Sequence, residues 1–109
     1  MVSIIKLGEG PKEPTPKGTF EVWVTDAHIR NQRNGFRSNE CAIHDAIRER
    51  MPDIKGPVHC MLEYIQLGDM KFDTSPELYG WQCGNAFSGT AKAIRLNFDM
   101  ELMYVRILE

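Results

Sequence analysis

The sequence predicts an α+β domain: a small, mostly antiparallel sheet of about five strands with two helices packed on one face. Three observations carry that prediction. Short segments rich in β-branched and aromatic residues alternate apolar with polar. Two other segments carry helix signatures, an apolar stripe at residues 43–51 and a Ser-Pro-Glu start at residues 75–77. The strands fall in near neighbours rather than in regular β-α-β units, which favours hairpins over a parallel sheet.

The elements follow in order. VSIIKL (2–7) reads as a strand. GEGPKEPTPKG (8–18) is rich in Gly, Pro and charge and reads as a flexible loop. TFEVWVT (19–25) alternates, with Phe20, Val22 and Val24 on one face and Glu21, Trp23 and Thr25 on the other, so these strands suggest a hairpin with a long connection. DAHIRNQRNGFR (26–37) is polar, contains the turn dipeptide Asn34-Gly35 and reads as a loop.

Ser38 or Asn39 can cap the next helix, with Glu40 near its positive end and Pro52 and Gly56 ending it near residue 51. Ile43, Ala46, Ile47 and Met51 share its buried face. VHCMLEYIQL (58–67) reads as one strand with Val58, Cys60, Leu62 and Tyr64 on one side, and GDMKFDT (68–74) as a short partner. Ser75-Pro76-Glu77 opens a second helix that sends Leu78 and Trp81 inward and is weakened by Gly80 and Gly84. AIRLNFDM (93–100) and LMYVRIL (102–108) are one long bulged strand or two paired ones. The order is β-β-α-β-(β)-α-β-(β).

The length of 109 residues fits one domain, residues 1–109, with a modest core. A net charge of -2 argues against a nucleic-acid field or a DNA mimic. Three scattered cysteines, Cys41, Cys60 and Cys83, do not suggest a disulfide framework. The apolar run of MVSIIKLGEG is shorter than a signal-peptide core or a membrane span. The expectation is a reducing cytoplasm, that of the host if the protein is viral, with no membrane partner.

The chemistry concentrates in residues 26–50. Arg30, Arg33 and Arg37 crowd a segment whose only acid is Asp26 and which runs into a helix N-terminus at Ser38 and Asn39. Backbone N–H groups and the helix dipole favour an anion there, arginines supply forked donors, and Phe36 can stack on a ring. Arg48 extends the same helix's polar stripe. The plain alternative is that these arginines are solvated or pair with Asp26, Glu21 or Glu63.

A second chemistry uses Cys41, His44 and Asp45 on that stripe: a thiol in the first helical turn, a base one turn on and an acid to orient it. Against it, nucleophile and base seldom meet on adjacent turns of one helix, and cysteine is most often a small buried hydrophobe. Cys41 and His44 could also supply two metal ligands. A structural zinc site needs four, and adjacent His59 and Cys60 point to opposite faces, so no metal or other cofactor is expected. The Gly84–Thr90 stretch has Thr90 where a phosphate loop needs lysine. Trp23 reads as core, with a partner surface as the alternative.

Taken whole, Asp26 with Ile29, Gly35 with Arg37, Cys41-Ala42-Ile43 with Ala46-Ile47, and Ser75-Pro76-Glu77 with Trp81 resemble the pattern of a family of small bacteriophage and prophage proteins. The resemblance spans roughly residues 24–100. Ala42 and Ser75 stand where the pattern has proline, and the N-terminal hairpin is extra. It implies an α+β fold and a viral setting, and brings no catalytic residues. It further implies a non-enzymatic binding protein, a counter-defence or host-takeover factor that binds a host protein or sequesters an anionic, nucleotide-like ligand. The alternative is a small Cys/His-dependent or nucleotide-cleaving enzyme. Exposed strand edges would allow a homodimer without requiring one.

Overall fold

In the computed structural model, residues 18–35, 38–84 and 92–108 are described, with the side chains of 33–35 set aside. The elements are β1 (Thr19–Val24), α1 (Asp26–Gly35), α2 (Asn39–Arg50), β2 (Val58–Cys60), β3 (Tyr64–Leu67), β4 (Met70–Thr74), α3 (Pro76–Cys83), β5 (Ile94–Asp99) and β6 (Tyr104–Leu108). The α+β class holds. The six strands run in the order β1-β5-β6-β4-β3-β2, and β4 pairs with β6 in parallel, so the sheet is mixed rather than antiparallel. Among the described residues there are therefore six strands and three helices where about five and two were expected. The expected strand at 2–7 and nearly all of the loop at 8–18 lie outside the described residues.

One face of the sheet carries the core. Alternation buries Phe20, Val22 and Val24 of β1, and the β1–β5 register sets Phe98 opposite Phe20 and Leu96 opposite Val22. Phe20 stacks on Phe98 at 4.9 Å between ring centroids, and Phe72 meets Phe98 edge-on at 5.1 Å. Helix α2 lays Ala42, Ile43, Ala46 and Ile47 on this layer, as their spacing requires, with Met51 half-buried at its end. Removing these four side chains from water supplies much of the helix's stability, since its polar sequence is no strong helix former.

Residues 26–35 correct the loop reading. They form α1, because polar residues there find partners that local propensity cannot reveal. Thr25 Oγ1 accepts from the His28 N–H at 3.4 Å, and His28 Nδ1 accepts from the Thr25 N–H at 2.9 Å. This is a reciprocal cap with histidine in the place of the usual glutamate or glutamine. With Nδ1 accepting, the ring proton sits on Nε2, which donates to Glu49 Oε1 at 2.6 Å. One turn on, Gln32 Nε2 donates to Asp45 Oδ2 at 2.6 Å, and Ile29 beside them is fully buried. Asn34-Gly35 falls at the helix's C-terminal end.

The single strand expected at 58–67 is a hairpin. Val58 pairs with Leu67 and Cys60 with Ile65, so the inward phase passes from Val58 and Cys60 to Ile65 and Leu67 instead of continuing through Leu62 and Tyr64. No glycine or proline marks the turn because distant groups hold it. The Leu62 carbonyl accepts from Thr74 Oγ1 at 2.7 Å and Gln82 Nε2 at 3.1 Å. Gly68, at the β3–β4 turn, has φ +62°, and a Cβ there would lie 2.7 Å from the Lys55 carbonyl oxygen, so glycine is required.

Residues 94–108 form two paired strands. Asp99 Oδ1 accepts from the N–H groups of Glu101 and Leu102, both at 2.9 Å, and turns the chain without glycine. Helix α3 starts as its sequence predicts: Ser75 Oγ accepts from the Leu78 N–H at 3.2 Å, Pro76 follows, and Leu78 is buried. Among the described residues, no helix is long and apolar enough to cross a membrane.

Candidate functional site

Of the arginines in the predicted anion set, the structure describes the side chains of Arg30 and Arg48. Arg30 is exposed on α1 and Arg48 is exposed near the end of α2. The Arg33 side chain, Phe36 and Arg37 lie outside the described residues. Ser38 occupies the position before α2, yet its side chain makes no capping hydrogen bond. Its hydroxyl lies 3.7 Å from Cys41 Sγ and also bonds Glu40. Burial raises the Glu40 carboxyl above its ordinary range, and that hydroxyl bond opposes the rise. Asn39 is only 2% exposed. Its Nδ2 donates to the Trp81 carbonyl at 2.7 Å, tying the head of α2 to α3, while its Oδ1 is buried with no hydrogen-bond partner.

The Cys41, His44 and Asp45 group does not assemble as a relay. Cys41 Sγ meets Ser38, and His44 Nδ1 stands 3.8 Å from Asp45 Oδ1. Asp45 spends its other oxygen on Gln32. None of these contacts joins thiol to imidazole. Behind them, burial and the nearby acidic groups of Glu40, Cys41 and Asp45 push the Cys60 thiol up to about 12, so it is a neutral thiol at physiological pH. All three cysteines are free. Among the described residues, no three His, Cys, Asp or Glu side chains gather to hold a metal ion.

What the fold does assemble is a cavity of about 680 Å³ beside Asn39. It lies where the end of β1, the start of β5 and the end of β6 meet the C-terminal half of α3. Its lining includes Trp23, Trp81, Lys92, Ile94, Arg95 and Leu108. The β1–β5 register sets Trp23 directly opposite Arg95, and the guanidinium lies over the indole at 5.4 Å from the ring centroid. Arg95 Nε also stands 3.8 Å from Glu21 Oε1, an ion pair too long to be a hydrogen bond. The arginine is thus held from two sides.

Trp81 Nε1 donates to the Lys92 carbonyl at 3.1 Å, whereas Trp23 Nε1 is buried with no partner. Trp23 is half-buried at this cavity rather than in the core, a correction to its sequence reading. The sequence singled out Asn39 but not Lys92 or Arg95. The outward phase of Trp23 and Arg95 on their strands was the available signal, and only strand pairing across some seventy residues brings the two together.

No protein-family model, no curated protein and no solved structure matches this chain.

Proposed function

We propose that the protein is a non-enzymatic binding protein that captures a small anionic ligand at the head of α2. The observation that carries this reading is the cavity beside Asn39, with Arg95 and Lys92 on a wall otherwise built of tryptophan and aliphatic side chains. A concave, mostly apolar site with a few placed polar groups is the usual form of a small-molecule site, and about 680 Å³ lies within their usual range of roughly 300–1,000 Å³. Arg30 and Arg48, exposed and outside the lining, would act at a distance by raising the local potential. Binding is favoured over catalysis because Cys41 meets Ser38 and Asp45 accepts from Gln32, and no contact joins the thiol to His44.

The setting, a phage factor that counters or redirects a host system from the host cytoplasm, rests on the family resemblance. Titration calorimetry of the full chain against linear and cyclic nucleotides and inorganic phosphate tests the ligand reading. Saturable heat with any of these anions supports it, and none with all of them ends it. The setting is tested by deleting the gene from a phage that carries it: the expected result is fewer plaques on a host with its defences intact. Unchanged plaques on every such host would remove the counter-defence role.

A further inference from the structure

We propose that the cavity takes the flat ring of a heteroaromatic anion of nucleoside monophosphate size, with the ring beside Trp23 and Trp81 and the negative end at Lys92 and Arg95. The proposal rests on the anion-binding reading and adds the ligand's class and pose. Two indoles on the wall offer large flat surfaces that take up a ring with little loss of side-chain freedom. Ile94 and Leu108 continue the apolar lining. Arg95 is already placed by the Trp23 ring and by Glu21, so little ordering remains when an anion arrives, although Glu21 competes for the same charge. Lys92 is exposed and supplies a second cation on the same wall.

The argument for a heteroaromatic ring rather than a hydrocarbon one comes from two buried atoms. Trp23 Nε1 is a donor and Asn39 Oδ1 an acceptor, both belong to lining residues, and neither has a partner. Each buried polar group left unpaired is costly, and although Thr19 Oγ1, Gln32 Oε1 and Gln82 Oε1 are also unpaired elsewhere, these two belong to residues that line the cavity. Asn39 as a whole is 2% exposed. A ring carrying an acceptor can answer the Trp23 N–H, and one carrying a donor can answer Asn39 Oδ1, after a small shift of either side chain toward the cavity. Gly84 permits the present Asn39 position, since a Cβ there would come within 2.8 Å of Nδ2.

The chain's two tryptophans both line the cavity, so its emission reports directly on occupancy. The full chain is titrated with the four common nucleoside monophosphates, their nucleosides, ribose 5-phosphate, phenyl phosphate and inorganic phosphate, by fluorescence and by calorimetry. At least one nucleoside monophosphate is expected to change the emission saturably. It should bind roughly tenfold or more tighter than its nucleoside, ribose 5-phosphate and phenyl phosphate.

Trp81→Ala should weaken that ligand by roughly tenfold while Trp81→Phe keeps most of the affinity. Lys92→Glu, at an exposed position, should weaken it by about threefold or more without altering the fold. Phosphate or ribose 5-phosphate binding as tightly as every nucleotide, with unchanged emission, would overturn the ring site and leave the anion reading standing. Failure of every anion to bind would remove both. Full affinity in Lys92→Glu together with Trp81→Ala would place the ligand elsewhere and overturn the proposal.

Discussion

Three phenylalanines and two tryptophans put the same class of side chain to opposite uses. Phe20, Phe72 and Phe98 meet under α2, all at 6% exposure or less, stacked or edge-on with no polar atom to satisfy. Trp23, near the end of β1, and Trp81, on α3, stand half-buried and line a cavity. The difference teaches where this fold uses its aromatic surface for cohesion and where it keeps space. A phenyl ring can be sealed on all sides. An indole brings an N–H that must be answered: Trp81 answers it with the Lys92 carbonyl, and Trp23 leaves it open.

The largest expected effect tests that contrast directly. Phe98→Ala should cost about 3–5 kcal/mol of stability in urea unfolding, because the rings around it cannot close the hole. Trp81→Ala should cost clearly less, about 1–2 kcal/mol, since Trp81 is only partly buried and lines the cavity. Equal losses from the two would break the comparison and make the tryptophan end part of the core.

The core's margin at β2 gives a pH-dependent test. The Cys60 thiol is raised from 9.0 to about 12 in the folded protein. In the unfolded chain it therefore loses its proton first, and folding stability attributable to it falls as pH rises above about 9. By about pH 10.5 the loss should amount to about 1–2 kcal/mol relative to neutral pH. Cys60→Ala removes this slope, so wild type and variant should converge as the solution becomes alkaline. A constant difference between them across that window would mean the thiol is not held neutral by the fold.

The polar seam between α1 and α2 sharpens the same contrast from the other side, as here both ring nitrogens of His28 are matched. His28→Ala removes both the cap on Thr25 and the bond to Glu49, and should lower stability by about 1–2 kcal/mol. Rapid hydrogen exchange confined to α1 in the variant would be its signature.

The smallest effect is at the exposed arginines. Arg30→Ala and Arg48→Ala should each change stability by less than about 0.5 kcal/mol. If they steer an anion toward the cavity, the pair together should slow its association at low ionic strength and have no effect at high salt. An equal slowing at high salt would point to direct contact instead.

Much of the architecture could be read without coordinates. The alternation of β1, the buried stripe of α2 and the Ser-Pro-Glu opening of α3 depend on neighbours in the chain, and they came out as read. Helix α1 did not, because its determinants are His28 and Gln32 reaching Glu49 and Asp45, residues twenty-one and thirteen positions away. The β2–β3 turn escaped for the same reason, its carbonyl being held by Thr74 and Gln82. At the site, Asn39 was legible as a helix start. Trp23 and Arg95 were legible only as outward-facing residues on separate strands, with nothing to say that they were partners.

The sequence by itself determined the α+β class, the inward faces of β1 and α2 and the start of two helices, since these follow from local periodicity and capping. Tertiary structure alone decided the parallel β4–β6 pairing, the helix made of polar residues, and the meeting of Trp23, Trp81, Arg95 and Lys92 around one space. The physical reason is that periodicity tells a side chain which way to face, whereas its partner is chosen by which strands pair and in what register.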